Sequence, residues 1–570
     1  MNRRRLVVVA GLLAAAELVL GLRVVQVMVL DHDRFDRLAR RQQQRGLTVP
    51  GLRGEIRSAD GYVLAASVER VAIEVDTQLL SYPDLFAQAA APIVGLKPAA
   101  VSRRLRGGRR SVWLVQRATR EVGLAVHRLA PGAVVLVPDS ERVYPLHGLA
   151  APVVGFTGRE ALRTVGRAGL EHFYDALLSG EPSRYLAVRD AVQRQIRLQR
   201  VRSGRAGFDL ELTLNACLQA ACERQLRATV KEFGARSASA VVLDPNDGRV
   251  LALASVPGFD PGAAGRTSPK NWRLRPAQDA YEPGSTVKPL VAAAALAAGV
   301  LRSGERFDCR GRGITVAGHW IRDHVEPAEY TLDGVIAHSS NAGMVMIASR
   351  LQPRFFARTL SAFGFGERTG IGFPAEADGL VPPVDRWSQL SEASLALGQE
   401  LTVSPLQLAL AYASIANGGW LPRPKLVLRA TGGRETSAME ANWRRRVMDE
   451  KLAARIRAML ELVVREGTGQ EAAVPGYRVA GKTGTAQRAR DGGFDHSHYV
   501  SWFAGFLPLP HPRAVIVVAV VEPKKDYWAS SVAAPCFRRI AAATVRLLKL
   551  PPQPPAPQAR GAVSTREKIS

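Results

Sequence analysis

The sequence predicts an α+β fold, an antiparallel sheet with helices packed on it, behind a separate amino-terminal segment. Three observations carry this. Ala238 to Leu243 and Val250 to Ser255 are short apolar runs on either side of Pro245-Asn246-Asp247-Gly248, a hairpin signal of good quality. A long Ala-rich stretch from Ser285 reads as a core helix. Near the end, Trp502 to Leu507 and Ala514 to Val521 are continuous apolar runs, as expected of buried strands.

The chain has 570 residues, above the usual size of one domain, so two or more are expected. With 47% hydrophobic and 22% charged residues it is not a mostly disordered chain. Four cysteines (Cys217, Cys222, Cys309, Cys536) and no C-x-x-C pair exclude a disulfide-built scaffold and argue against a zinc site of ordinary spacing. The histidines, His496 and His498 included, form no metal site, and no metal or cofactor is expected. The net charge is +26, from 77 basic and 51 acidic residues, and the arginines run from Arg3 to Arg566 without forming a tail. On composition alone this admits nucleic acid, an anionic membrane or an anionic polymer as partner.

The amino terminus narrows the setting. Arg3, Arg4 and Arg5 precede an apolar run from Leu6 to Leu30, interrupted by Glu17, Arg23 and Gln26. Leu6 to Leu22 alone would reach about 25 Å as a helix, near the minimum for a bilayer core. Ala14-Ala15-Ala16 would suit a cleaved signal peptide. The run continues fourteen residues past them, which favours an uncleaved anchor. Arginines ahead of the span place the start inside and the body outside, so nucleic acid is not an expected partner.

From Asp31 to Gly204 short β-like runs, such as Val71 to Val75 and Ala133 to Val137, alternate with Arg-rich stretches; Ser102 to Arg110 is basic and expected at the surface. The texture changes at Gly207, where Phe208 to Leu214 alternates as a strand and Cys217 to Phe233 reads as a helix. Five segments follow: a tip at 1–5, an anchor at 6–30, a non-catalytic pedestal at 31–205, a catalytic domain at 206–550 and a disordered tail at 551–570. The tail opens with the Pro-rich PPQPPAP.

Three clusters carry chemistry. Ser285-Thr286-Val287-Lys288 follows Glu282-Pro283-Gly284, which places Ser285 in a first helical turn with Lys288 on the same face. None of the other ten lysines has a serine three places before it. Ser339-Ser340-Asn341 supplies a hydroxyl and an amide at the end of a helical stretch, Leu332 to His338. Lys482-Thr483-Gly484-Thr485 supplies a cation, two hydroxyls and a glycine that permits close backbone approach. Each alone is ordinary, respectively an N-cap, a turn and a strand end. Together they resemble the S-x-x-K, S-D-N and K-T-G set of β-lactamases and penicillin-binding proteins.

The chain thus resembles the class B penicillin-binding proteins, monofunctional peptidoglycan D,D-transpeptidases, and most of all the cell-division (septal) type. Arg53-Gly54-Glu55-Ile56 with Asp60-Gly61 and Leu64-Ala65 resembles the family's amino-terminal signature, and Arg142, Tyr144, Pro145, Gly169-Leu170-Glu171 and Gly180 its later non-catalytic motifs. Tyr281 to Pro289, Phe363 to Pro374, Gly398-Gln399, Pro405-Leu406-Gln407, Lys482 to Gln487 and Val532 to Phe537 resemble the catalytic domain. Ser58-Ala59-Asp60 departs from the family's usual Asp-Arg-Asn.

The resemblance implies a penicillin-binding, serine β-lactamase-like fold on an extended pedestal, and a serine acyl-enzyme that cross-links stem peptides and is trapped by β-lactams. Ser285 would be the nucleophile and Lys288 the base, its pKa lowered by burial and by the Lys482 charge. Ser339 would relay the proton and Asn341 would hold the substrate amide. Lys482, Thr483, Gly484 and Thr485 would receive the terminal carboxylate, and the N–H groups of Ser285 and Thr485 would form the oxyanion hole. It also implies the bacterial inner membrane, with a polytopic glycan polymerase and other division proteins as partners. The competing functions are a D,D-carboxypeptidase or β-lactamase-type hydrolase, which needs no pedestal, and a catalytically silent division scaffold, which needs none of the three clusters.

Overall fold

The computed structural model describes residues 3–35, 44–160, 163–189, 195–433, 435–438, 444–490 and 493–553. Helix α1 (Arg3–Val25) runs into a π-helical turn, Gln26–Leu30. Leu6 to Leu30 has a mean hydropathy of 2.1, is unburied, and is the one described segment long and apolar enough to cross a membrane. Its polar residues pair at one end: Arg23 donates to Gln26 Oε1 at 2.8 Å and Gln26 donates to Asp31 Oδ2 at 3.2 Å.

The segment expected to be the pedestal is built around a strand of 14 residues, Val63–Asp76, which pairs with Val134–Val143 and Ser111–Ala118. The expected strands at 71–75 and 133–137 mark only its apolar end and that of its partner. The polar remainder pairs as well, so the ladder extends past the hydrophobic pattern. Below this sheet four charged side chains meet, Arg53, Arg142, Glu171 and Asp175, the last accepting from Arg53 Nη1 at 2.7 Å. Glu171 accepts from Arg53 Nε at 2.5 Å and from Arg142 Nε at 2.7 Å. Arg142 reaches on to the Gly54 carbonyl at 2.7 Å. A side chain at position 54 would collide with the Phe208 carbonyl, so the glycine lets two backbones touch.

Asp209–Leu212 pairs in parallel with Ile56–Arg57 and antiparallel with Val427–Gly432, so one sheet runs across the expected boundary near residue 205. The second part of the chain is built on a five-stranded antiparallel sheet of β1 (Ser237–Leu243), β2 (Val250–Val256), β3 (Ala480–Arg490), β4 (Gly493–Leu507) and β5 (Ala514–Val521), in the order β2-β1-β5-β4-β3. The helices that matter below are α2 (Ala216–Phe233), α3 (Lys288–Ala297), α4 (Leu332–His338), α5 (Asn341–Ala348), α6 (Pro405–Ala416) and α7 (Ala533–Leu547). Alternate residues of β5 explain its unbroken apolar run. Val515, Val517, Ala519 and Val521 join the core that holds α3 and α6, while Ala514, Ile516, Val518 and Val520 join the core under α2 and α7. Both faces are covered, so period-2 patterning vanishes.

Of the tail expected to begin at 551, Gln553 is held: its N–H donates to Gly476 O at 2.8 Å and its Oε1 accepts from Arg478 N at 2.9 Å. The paired amide fixes these three residues, and the rest of the tail, 554–570, lies outside the described residues. The side chains of His496 and His498 do too.

Candidate active site

Ser285 lies in a 3-10 turn, Gly284–Val287, and the α-helix begins only at Lys288, not at Ser285 as expected. Pro289 in the first α-helical turn sets that start, because proline's missing N–H costs nothing there. The turn is gripped from several sides. Gly284 N–H donates to Gly398 O at 3.1 Å, and Tyr412 OH donates to Thr286 O at 2.8 Å. Trp502 Nε1 donates to Glu282 O at 3.0 Å. Gly284 has φ +55° and Gly398 φ +78°, and a Cβ on Gly398 would strike the Gly284 backbone. Both glycines are therefore structural conditions for placing Ser285.

Lys288 is fully buried. Its Nζ donates to Ser339 O at 2.7 Å, Asn341 Oδ1 at 2.8 Å, Ser340 O at 3.2 Å and Ser339 Oγ at 3.4 Å. The S-x-x-K lysine and the Ser339-Ser340-Asn341 turn thus meet. Burial lowers the Lys288 pKa to about 7, against the opposing pull of Asp323 and Cys309. At neutral pH the amine is poised between proton donor and acceptor. The expected help from Lys482 is corrected here, since the repulsion falls on Lys482. Burial first, and the Lys288 charge second, hold Lys482 well below the ordinary lysine value.

The turn itself is shaped by a residue that no motif marked. Ser339 closes α4 in the left-handed region, φ +67°, and Ser340 caps α5 by accepting from Gly343 N at 3.0 Å. Asp323 fixes that junction. Its buried carboxylate accepts from Ser340 Oγ at 2.5 Å, Asn341 N at 2.8 Å and Ala342 N at 3.2 Å. Asn341 Nδ2 in turn donates to Arg322 O at 2.9 Å. The one sequence clue to Asp323 is an acid three residues past Trp320, far too common a pattern to select.

The third wall is β3. Lys482 is fully buried and Thr483 nearly so, with its hydroxyl 2.7 Å from that of Thr468. Gly484 faces the Ser285 turn, where a Cβ would come within 2.7 Å of Pro283 O and 2.8 Å of Thr286 Cγ2. Thr485 Oγ1 accepts from Ala529 N at 3.1 Å, which leaves its own O–H free to donate toward an anion. The structure therefore brings all three clusters around one cleft: a hydroxyl on a gripped turn, an amine poised near pH 7, and a strand offering a second buried amine and hydroxyls. A serine acyl transfer needs these parts. Among the described residues no group of three or more His, Cys, Asp or Glu could hold a metal ion.

Comparison with known proteins agrees. Residues 238–542 match the penicillin binding protein transpeptidase domain and residues 48–212 the penicillin-binding protein dimerisation domain. The chain is 31% identical to the "Probable peptidoglycan D,D-transpeptidase PbpC" of Pseudomonas aeruginosa, with 96% of each covered. It is also 31% identical to the peptidoglycan D,D-transpeptidase FtsI of Escherichia coli K12, over 95% of this chain and 91% of that one. Among solved structures, penicillin binding protein 3 of Mycobacterium tuberculosis complexed with aztreonam superposes with a TM-score of 0.70 at 28% identity, covering 89% of this chain and 99% of that one. Penicillin binding protein 2X of Streptococcus thermophilus shares the fold, with a TM-score of 0.77 at 20% identity over 88% of this chain and 80% of that one.

Proposed function

The chain belongs to the class B penicillin-binding proteins, the peptidoglycan D,D-transpeptidases, and from that membership we propose how its own residues divide the work. Ser285 attacks the D-Ala-D-Ala carbonyl of a stem peptide, and Lys288, in its neutral form, takes the hydroxyl proton. The C–N bond to the terminal D-Ala breaks, D-Ala leaves as the protonated amine, and an acyl-enzyme remains on Ser285. The amine of a second stem peptide then displaces Ser285, which regains its proton, and the cross-link is made. Ser339 passes the proton and Asn341 holds the donor amide. Lys482 and the hydroxyls of Thr483 and Thr485 receive the terminal carboxylate beside Gly484, and the N–H groups of Ser285 and Thr485 face the oxyanion. The observation that carries this reading is the set of hydrogen bonds from buried Lys288 to the Ser339-Ser340-Asn341 turn.

β-Lactams acylate the same serine. Intact-mass analysis after benzylpenicillin treatment is expected to give one adduct, absent in Ser285→Ala; an adduct in that variant would contradict the assignment. The likeness to FtsI supports a role in septal wall synthesis. Residues 31–205 would be the pedestal, 206–550 the catalytic domain, and Leu6 to Leu30 the single span of an inner-membrane protein with its start inside. Glu17 and Arg23 are costly against lipid, which supports a protein partner for that span, by chemistry a polytopic glycan polymerase. Replacing Leu6 to Leu30 by an unrelated apolar span is expected to preserve penicillin labelling and to fail in a depleted strain. Full complementation would remove the partner.

A further inference from the structure

Beside the cleft, a β-hairpin of Gly313–Val316 and His319–Arg322 carries a row of side chains that the acyl-transfer chemistry does not use. Its two faces differ. Ile314 and Ile321 lie directly opposite each other and half-buried, so they form the inner face. The alternate residues, Trp320 and Arg322, then point outward, and both are exposed. Trp320 is 59% exposed although it is the bulkiest side chain on the hairpin. Its indole lies over Gly313, where any Cβ would meet the ring, so the glycine lets the indole lie close to the opposite strand. The indole is thus held close to the opposite strand, and Trp320 still exposes more than half of its surface.

The row leads into the catalytic site. The Arg322 carbonyl accepts from Asn341 Nδ2 at 2.9 Å, and the next residue, Asp323, holds the Ser340-Asn341 junction. His324 follows, and its ring meets Trp528 edge-on with centroids 5.7 Å apart. Trp528 neighbours Ala529, whose N–H donates to Thr485 Oγ1 at 3.1 Å. The row therefore starts at the wall that receives the donor peptide and runs outward. At the usual rise of a strand, Trp320 lies about 13 Å along the chain from His324. No described carboxylate pairs with Arg322.

We propose that Trp320 and Arg322 form an outer subsite for the glycan-proximal end of the donor stem peptide, with Trp320 stacking on a pyranose ring and Arg322 binding a stem carboxylate. This deepens the transpeptidase reading and rests on it. The lengths are comparable: four extended peptide residues reach about 13–14 Å, and the row from His324, beside the donor-peptide wall, out to Trp320 covers about 13 Å of chain. The chemistry fits as well, since an exposed indole offers the flat apolar surface that sugar C–H groups cover, and an unpaired guanidinium matches a carboxylate.

The test is competition against fluorescent penicillin labelling of the full-length protein in detergent. The competitors are a free stem pentapeptide and the same pentapeptide on its disaccharide. The wild type is expected to be protected about three- to tenfold better by the disaccharide form, the range of one aromatic stacking contact. Trp320→Ala should bring that ratio to about one. The ratio is internal to each protein, so a change in the labelling rate itself does not affect it. As a second arm, Arg322→Gln should remove the preference for a pentapeptide with a free side-chain carboxylate over its amide. Equal protection of the wild type by both competitors, or a Trp320→Ala protein that keeps the full ratio, overturns the sugar site; an Arg322→Gln protein that keeps the carboxylate preference overturns the anion site. Failure of the transpeptidase reading would look different, because the wild type would then not label at Ser285.

Discussion

Glu171 in the pedestal lies between the guanidinium groups of Arg53 and Arg142, at 2.5 and 2.7 Å, and the three side chains are almost wholly buried. In the cleft, Lys288 and Lys482 are buried as deeply, yet neither has a carboxylate among the described residues in an ion pair with it, and Lys482 also feels the Lys288 charge. The nearest acid, Asp323, is occupied by Ser340 Oγ and the N–H groups of Asn341 and Ala342. Burial thus has opposite consequences in the two regions. Matched charges inside the pedestal hold three distant segments, near residues 53, 142 and 171, in one geometry. Lysines left unmatched in the cleft lose their grip on their protons, and Lys288 is brought to about 7, where it can act as a base.

The comparison breaks if the pedestal ion cluster is dispensable. Glu171→Gln removes the one anion between two guanidinium groups and is expected to cost about 3–5 kcal/mol of folding stability. Chemical denaturation measures that loss, and the protein that remains folded should acylate at the wild-type rate. A variant of wild-type stability would mean that the cluster is incidental. A smaller effect sharpens the cleft side. Asp323→Asn weakens the acceptor of Ser340 Oγ and Ala342 N, so benzylpenicillin acylation should slow roughly 10- to 100-fold, as for loss of a hydrogen bond to a charged group. It also removes the carboxylate that favours charged Lys288. The lysine then loses its proton more readily, and the rise of acylation with pH should move to lower pH. A slower variant with an unmoved rise would reduce Asp323 to a purely structural residue.

The parts of this site that were legible in sequence are those in which chemistry and backbone lie within four residues. Ser285 to Lys288 and Lys482 to Thr485 each carry their functional groups on one turn or one strand, so spacing alone exposes them. The hairpin of β1 and β2 was legible for the same reason, because its turn residues lie between the two apolar runs. Asp323 was not legible, since it acts on residues 17 to 19 positions downstream through contacts that only the fold creates. The 3-10 geometry at Ser285 was missed because Pro-Gly ahead of an Ala-rich run fits an α-helical start equally well, and the tertiary grip of Gly398 and Tyr412 decides between them. The lysine repulsion is not legible in sequence either, because which of two neighbours yields its proton depends on the remaining partners of each. In the pedestal, the resemblance marked Arg53, Arg142 and Glu171 as motif residues, but it gave no reason to place them in contact.

The central claim, that unmatched burial makes Lys288 the base, is tested most directly by the pH dependence of benzylpenicillin acylation. The sign is fixed: the neutral amine accepts the proton, so the rate must rise as Lys288 deprotonates. The account predicts a rise with its midpoint near 7 in the wild type, set by the lowered lysine pKa. Lys288→Arg should show no acylation at any pH in the range, because a guanidinium keeps its proton. A midpoint near 10, or an Arg variant that acylates at near-normal rate, would contradict it.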